Sequence, residues 1–226
     1  ENSCSKWGGV IDSYGTLNIS GGTFNDNSSK EGGVIASYGK LNITDGVFEN
    51  NKAKTNGGAI RLGQNAIASI TGASFNKNEA KSGGAIYNSN ELIINDGVIF
   101  SENKSNDNGG AIINYGNLTV NGGTFKDNEA KNGGAISSIS DYGELTVNGG
   151  SFENNKSTSK WGGAIVTTNK VSVKNATFEG NVSGNGGAIY AYDANGAAIE
   201  NCTFKNNSAT NENTVKNGGA LFVNGG

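Results

Sequence analysis

The chain has 226 residues, 37 of them glycine, no proline, histidine or methionine, and a net charge of -3. Without histidine there is no Ser-His or Cys-His nucleophile pair and no imidazole metal ligand. Arg61 is the single arginine among 17 basic residues, so no basic stripe is present for nucleic acid, and the apolar runs are too short to span a membrane.

Taken from the N-terminus, the apolar residues fall into a unit that recurs about every 25 residues. The unit opens with Gly-Gly followed by two aliphatic residues. Its first glycines are Gly8, Gly32, Gly57, Gly83, Gly109, Gly133, Gly162, Gly186 and Gly218, at steps of 24 to 32. An alternating apolar pair follows: Leu17/Ile19, Leu41/Ile43, Ala68/Ile70, Leu92/Ile94, Leu118/Val120, Leu145/Val147, Val171/Val173 and Ala197/Ile199. The unit closes with Phe-x-x-Asn. The phenylalanines are Phe24, Phe48, Phe75, Phe100, Phe125, Phe152, Phe178 and Phe204. The asparagines are Asn27, Asn51, Asn78, Asn103, Asn128, Asn155, Asn181 and Asn207.

Three short period-two segments, separated by Asn-Gly, Asp-Gly and Tyr-Gly turns, are strands and not helices. A fixed period of this length is a solenoid signal. The pattern predicts an all-β fold, a single right-handed parallel β-helix with three short strands per ~25-residue coil and nine stacked partial or complete coils. The Leu and Asn spacing of a leucine-rich repeat is missing. An isolated coil buries too little to offset its backbone entropy, so the coils must stack.

Each motif has a mechanical reading. The Gly pair permits a positive-φ corner, or a close approach of coil on coil where a Cβ would clash. The Phe side chains are expected in one interior column. The Asn three residues later tolerates the left-handed region, and its amide can bond the Asn of the next coil. The residue two before each Phe is mostly small, and Cys202 stands in that column, so it reads as a buried thiol. Cys4 and Cys202 lie at least seven rungs apart, roughly 34 Å at the strand spacing, which excludes a disulfide between them. Residues 1–226 read as one β-helix segment that starts and stops in mid-repeat. Unpaired strand edges at its two ends would then favour end-to-end self-association.

Gly-Gly-Ala-Ile stands at Gly57, Gly83, Gly109, Gly133, Gly162 and Gly186, with close variants at Gly8, Gly32 and Gly218. Together with the in-register Phe-x-x-Asn copies, this resembles the repeats of the chlamydial polymorphic outer membrane proteins, along the whole chain. The resemblance implies a surface-exposed β-helical passenger of an autotransporter, acting as an adhesin. Similar repeats occur in adhesin-like surface proteins of other bacteria and of archaea.

Corner aromatics are the candidate ligand contacts. Tyr14, Tyr38, Tyr115 and Tyr192 each lie six residues after the first Gly of their pair, and Tyr142 is their counterpart after an insertion. Trp7 and Trp161 directly precede a Gly pair. Exposed rings of this kind stack on sugars or anchor a protein partner, whereas the plainer role is to cover the turn. Two long steps, from Gly133 and from Gly186, mark inserted corners; the second holds Glu212 and Lys216. Loops on a rigid scaffold commonly carry recognition.

The acidic residues are scattered, and Asp45 and Asp96 serve turns before a glycine. No calcium nonapeptide is present. Neither a catalytic residue, a metal nor a cofactor is therefore expected. The leading expectation is a non-enzymatic cell-surface adhesin segment, extracellular, binding a host or neighbouring-cell surface protein or glycan. The alternatives are a structural stalk or filament subunit, and a carbohydrate-active β-helix.

Overall fold

The computed structural model describes residues 1–140, 143–192, 197–210 and 218–224, and every strand pairing in it is parallel. Strands of like position stack along one axis in three sheets, a β-solenoid without a helix among the described residues. The first sheet has nine strands, each directly after a Gly pair, from Ile11–Ser13 through Ile112–Asn114 to Leu221–Asn224. The second has fourteen strands and holds both the alternating-pair strands and the Phe strands. The two types run together in Thr16–Asn25 and Lys40–Glu49 and are separate from Ile67–Ile70 and Ala73–Asn76 onward. The third has eight short strands after the ladder asparagines, from Ser28–Glu31 to Ser208–Ala209. Two of the expected apolar segments thus share one folded sheet, and a polar stretch without an apolar signature supplies the third.

Register explains why the repeat must be so regular. Equivalent residues pair directly, as in Ile35↔Ile60, Leu92↔Leu118 and Phe100↔Phe125. Phe48 to Phe178 are fully buried, and Phe24 and Phe204 are half-buried at the two ends of the column. Successive ring centroids are 4.7–5.1 Å apart and within 6–14° of parallel. This spacing suits both the strand ladder and offset ring stacking.

The two glycines of each pair do different work. The first takes a positive φ at all nine corners, between +54° and +67°. The second faces the coil above: a Cβ on Gly110 would lie 2.0 Å from the Gly134 carbonyl oxygen, and one on Gly58 2.0 Å from that of Gly84. Both expected uses of glycine are therefore present, one per residue.

The asparagine column differs from expectation in one respect. The left-handed residue is not the ladder Asn but its predecessor: Asp26, Asn50, Lys77, Glu102, Asp127, Asn154, Gly180 and Asn206, with φ of +51° to +67°. The chain inverts one residue early, which leaves the asparagine buried with its amide available to the stack. From Asn51 to Asn181, each Nδ2 donates to Oδ1 of the next Asn at 2.9–3.0 Å and to the Phe carbonyl of the preceding coil at 2.8–3.0 Å. Each Oδ1 also accepts a backbone N–H, as Asn128 Oδ1 does from Asn103. Asn2 starts the column by donating to Asn27.

Cys202 is half-buried and not the buried thiol expected, because the second sheet ends beside it among the described residues; Cys4 is exposed, and both thiols are free. A charged column runs along the third sheet, where Lys52, Glu79, Lys104, Glu129 and Lys156 pair in succession. Lys104 and Lys156 approach Glu129 at 2.9 and 3.7 Å, and Lys52 approaches Glu79 at 3.5 Å. The hydrogen bond from Lys104 holds the Glu129 carboxyl below the usual glutamate range, against a smaller opposing effect of burial.

Three outcomes follow from this packing. Phe125→Ala is expected to cost about 3–5 kcal/mol in denaturant unfolding through its cavity. Gly110→Ala should cost more than about 4 kcal/mol or abolish folding, whereas Gly15→Ala, whose Cβ would meet nothing within 4 Å, should stay within about 0.5 kcal/mol of the parent. Because the Glu129 pKa is lowered by folding, its ion pair stabilises the fold above the ordinary glutamate pKa of about 4.3 and is lost as pH falls through the lower folded value. Glu129→Gln should therefore remove part of the acid sensitivity in a pH series of thermal melts. Partial exposure limits the effect to at most about 1 kcal/mol at neutral pH.

Candidate functional site

The candidate site is the outer face of the first sheet. Along each strand the residue three after the first Gly points into the core, as Ile60, Ile86 and Ile112 do. Alternation then turns the next residue outward. The outward column reads Asp12, Ala36, Arg61, Tyr87, Ile113, Ser137, Val166, Tyr190 and Phe222 in register. Several of these are buried although they lie outside the core, because they fold over the Cβ-free corner of a neighbouring coil. A Cβ on Gly83 would lie 2.7 Å from Ile113 Cγ2, and one on Gly133 2.8 Å from Val166 Cγ1.

Two further columns flank this one. On one side are the residues that precede the Gly pairs, including Trp7 and Trp161. On the other are those six residues after the first Gly, including Tyr14, Tyr38, Tyr115 and Tyr192. The singled-out aromatics among the described residues therefore share one face. Tyr87, Tyr190 and Phe222 belong to it too and were missed, since they sit in mid-strand; the alternation that follows the inward Ile is the signal that would have found them. Tyr142, Glu212 and Lys216 lie outside the described residues. The second long corner is described only as far as Thr210, so the structure does not place its charged residues against the aromatic face.

The rings form three clusters along the axis. At the N-terminal end Tyr14 stacks on Tyr38 at 4.8 Å, and Trp7 meets Tyr38 edge-on at 6.4 Å. The Arg61 guanidinium lies 4.8 Å from the Tyr38 ring centre, and its Nε is 3.1 Å from the Glu31 carboxylate. Burial raises the Tyr38 pKa, with Arg61 opposing. In the middle, Tyr87 and Tyr115 are 5.4 Å apart, and burial raises the Tyr115 pKa. At the C-terminal end Tyr190 stacks on Trp161 at 5.8 Å, on Tyr192 at 6.3 Å and on Phe222 at 4.6 Å. Here Ile139, Trp161, Val166, Thr168, Tyr190 and Tyr192 line a groove of about 400 Å³.

Carboxylates serve other ends. Asp45 Oδ1 accepts the Gly46 N–H at 2.7 Å, as a turn residue does. No three Cys, Asp or Glu side chains converge to hold a metal among the described residues.

Residues 45–62, 72–89, 97–114, 122–139, 149–168 and 175–192 match the Chlamydia polymorphic membrane protein repeat. Six polymorphic membrane protein repeats therefore lie between residues 45 and 192. Each matched stretch opens three residues before its Phe, passes the Asn corner and ends in, or one residue beyond, a first-sheet strand, so the repeat comprises the half-coil whose residue types the stacking dictates. No curated protein and no solved structure matches the chain. Polymorphic membrane protein repeats on a β-solenoid fit a surface passenger-like protein.

Proposed function

We propose that this repeat protein is an extracellular, non-enzymatic adhesin segment: a rigid rod whose first-sheet face binds a protein or glycan of another cell surface. The observation that carries this reading is the gathering of the exposed aromatics onto one face. Trp7, Tyr14, Tyr115, Trp161 and Tyr192 each keep 37–68% of their surface in water, although their columns elsewhere hold mostly Asn, Ser, Glu or Thr, with Gly63 and Ile139 as exceptions. A plain stalk needs no such departures from a uniform corner. Large rings held by stacking lose little conformational freedom on binding, which is why such residues dominate binding hot spots. The family supports the surface location.

The test is binding of the purified segment to cultured cells, read beside thermal melts. Replacing Trp7 and Tyr14 together, or Trp161 and Tyr192 together, with alanine should weaken binding by about tenfold or more in at least one pair. Asn42→Ala on the outer face of the second sheet should leave it unchanged. Equal binding by the parent and both folded double variants would overturn the proposal.

A further inference from the structure

The outer face of the third sheet carries a second surface, built differently from the aromatic one. We infer that it holds a linear acidic polysaccharide, a sugar chain bearing carboxylate or sulfate groups, laid along the solenoid axis at the N-terminal end. The inference takes only the cell-surface location from the adhesin reading; its residues are separate from the aromatic face.

The sheet register brings four lysines into one column. Trp7↔Glu31 sets Lys6 beside Lys30, Ser29↔Ala53 sets Lys30 beside Lys54, and Glu79↔Lys52 sets Lys54 beside Lys81. All four are exposed. Among the described residues only Lys81 has an acidic partner, Asp107 at 3.9 Å, which lies closer to Lys131 at 3.0 Å. The net charge of -3 hides this column, because stacking and not composition gathers its lysines. Ammonium groups repeated at the rung spacing of about 4.8 Å repel one another. The fold does not require them, since the same position is Asn106, Thr158 and Gly184 in later coils. The neighbouring column, by contrast, alternates its signs and neutralises itself.

A groove of about 630 Å³ follows the lysines. Its lining comes from five successive coils, from Ser3 and Ser5 in the first to Asn106 in the fifth, so it runs along the axis. Lys52, Lys54 and Lys81 line it against one carboxylate, Glu79. Its sign and direction therefore suit an anion that repeats its charge along a line.

Three features favour a sugar chain over other anions. The positive strip is narrow: Glu79 and Glu129 stand in the column on one side, and Glu31 and Asp107 directly follow column positions on the other. A plane of anionic headgroups would meet those acids, whereas a single chain passes between them. No aromatic ring lines the groove among the described residues, so the bases of a nucleic acid strand have no platform to stack on. The strands beneath are paired on both sides, through Ser28↔Lys52 and Lys52↔Glu79, so an acidic peptide finds no edge to extend. A polysaccharide needs neither ring nor edge. Its anions meet the ammonium groups, and its hydroxyls meet Ser3, Ser5 and Ser28. An ammonium is a compact, rotatable point charge, so it serves carboxylate and sulfate alike.

The protein is titrated with heparin, polygalacturonate, dextran, oligothymidylate and phosphatidylglycerol vesicles, at low and at physiological salt. Heparin or polygalacturonate should bind saturably at physiological salt, and dextran should not. Lys6→Gln, Lys30→Gln and Lys54→Gln combined should weaken that binding about tenfold or more. The combination should also flatten its salt dependence, because fewer counterions are displaced. Its melting temperature should not fall, since only repulsion is removed. Lys40→Gln, Lys126→Gln and Lys170→Gln combined, on or beside the second sheet, change the net charge equally and should bind like the parent. The inference is overturned if neither acidic polysaccharide binds, if the two triple variants bind alike, or if oligothymidylate or the vesicles bind as tightly as the better polysaccharide. It is also overturned if the paired aromatic variants lose the polysaccharide. Cell binding that still depends on the aromatics would then leave the adhesin reading standing without this surface, and cell binding indifferent to them would remove that reading on its own account.

Discussion

The structure depends on a constraint of stacking: a buried polar group in one coil must be satisfied by the same group in the next. The asparagine column meets it completely. Asn128 gives its amide to Asn155 and to the Phe100 carbonyl, and takes the amide and the backbone N–H of Asn103 on its own oxygen. Each corner is thus closed by its neighbours and not by itself, and no coil can hold its turn alone. An amide left without its partner in this dry column would cost its full desolvation. The phenylalanine column adds area but places no such polar demand, so it tolerates the looser, half-buried state seen at Phe24 and Phe204.

The same economy of space shapes the recognition face. The first-sheet corner needs a positive φ at one glycine and direct backbone contact at the next, and the missing Cβ atoms leave a notch on the outside. Outward residues fall into that notch, which is how Ile113 and Val166 become buried on the solvent side of a sheet, while Tyr190 is covered by its ring neighbours Trp161 and Phe222. Rings on the two bordering columns then stand above a filled, apolar floor. The corner that makes the solenoid possible also makes its aromatic trough, with no loop of special shape.

What the sequence disclosed followed the strictness of each position. The Gly pairs and Phe-x-x-Asn admit few substitutes, so their copies stand out in register along the sequence. The left-handed position was only partly marked: six of its eight residues are the Asn, Asp or Gly that favour that region, but Lys77 and Glu102 are not, and there the ladder on either side imposes the φ. The third sheet was hidden for a related reason: strands such as Lys104–Ser105 and Glu129–Ala130 bury one small residue and carry a charge outside, with no apolar run to mark them. Of the candidate site, the rings beside glycines stood out against polar equivalents. The floor rings did not, since a tyrosine in mid-strand reads like any strand residue.

The charged column of the third sheet bears on how such an array changes length. Phenylalanine over phenylalanine and asparagine over asparagine are indifferent to which coil is which, so a unit could be lost or copied without a seam in the core. The charges are not indifferent. Loss of the coil that carries Glu79 would bring Lys52 against Lys104, and loss of the coil that carries Glu129 would bring Lys104 against Lys156. Removing or duplicating two neighbouring coils restores the alternation. Over this stretch the charge alternation is therefore kept only when coils are added or removed in pairs, although the structural repeat is one coil.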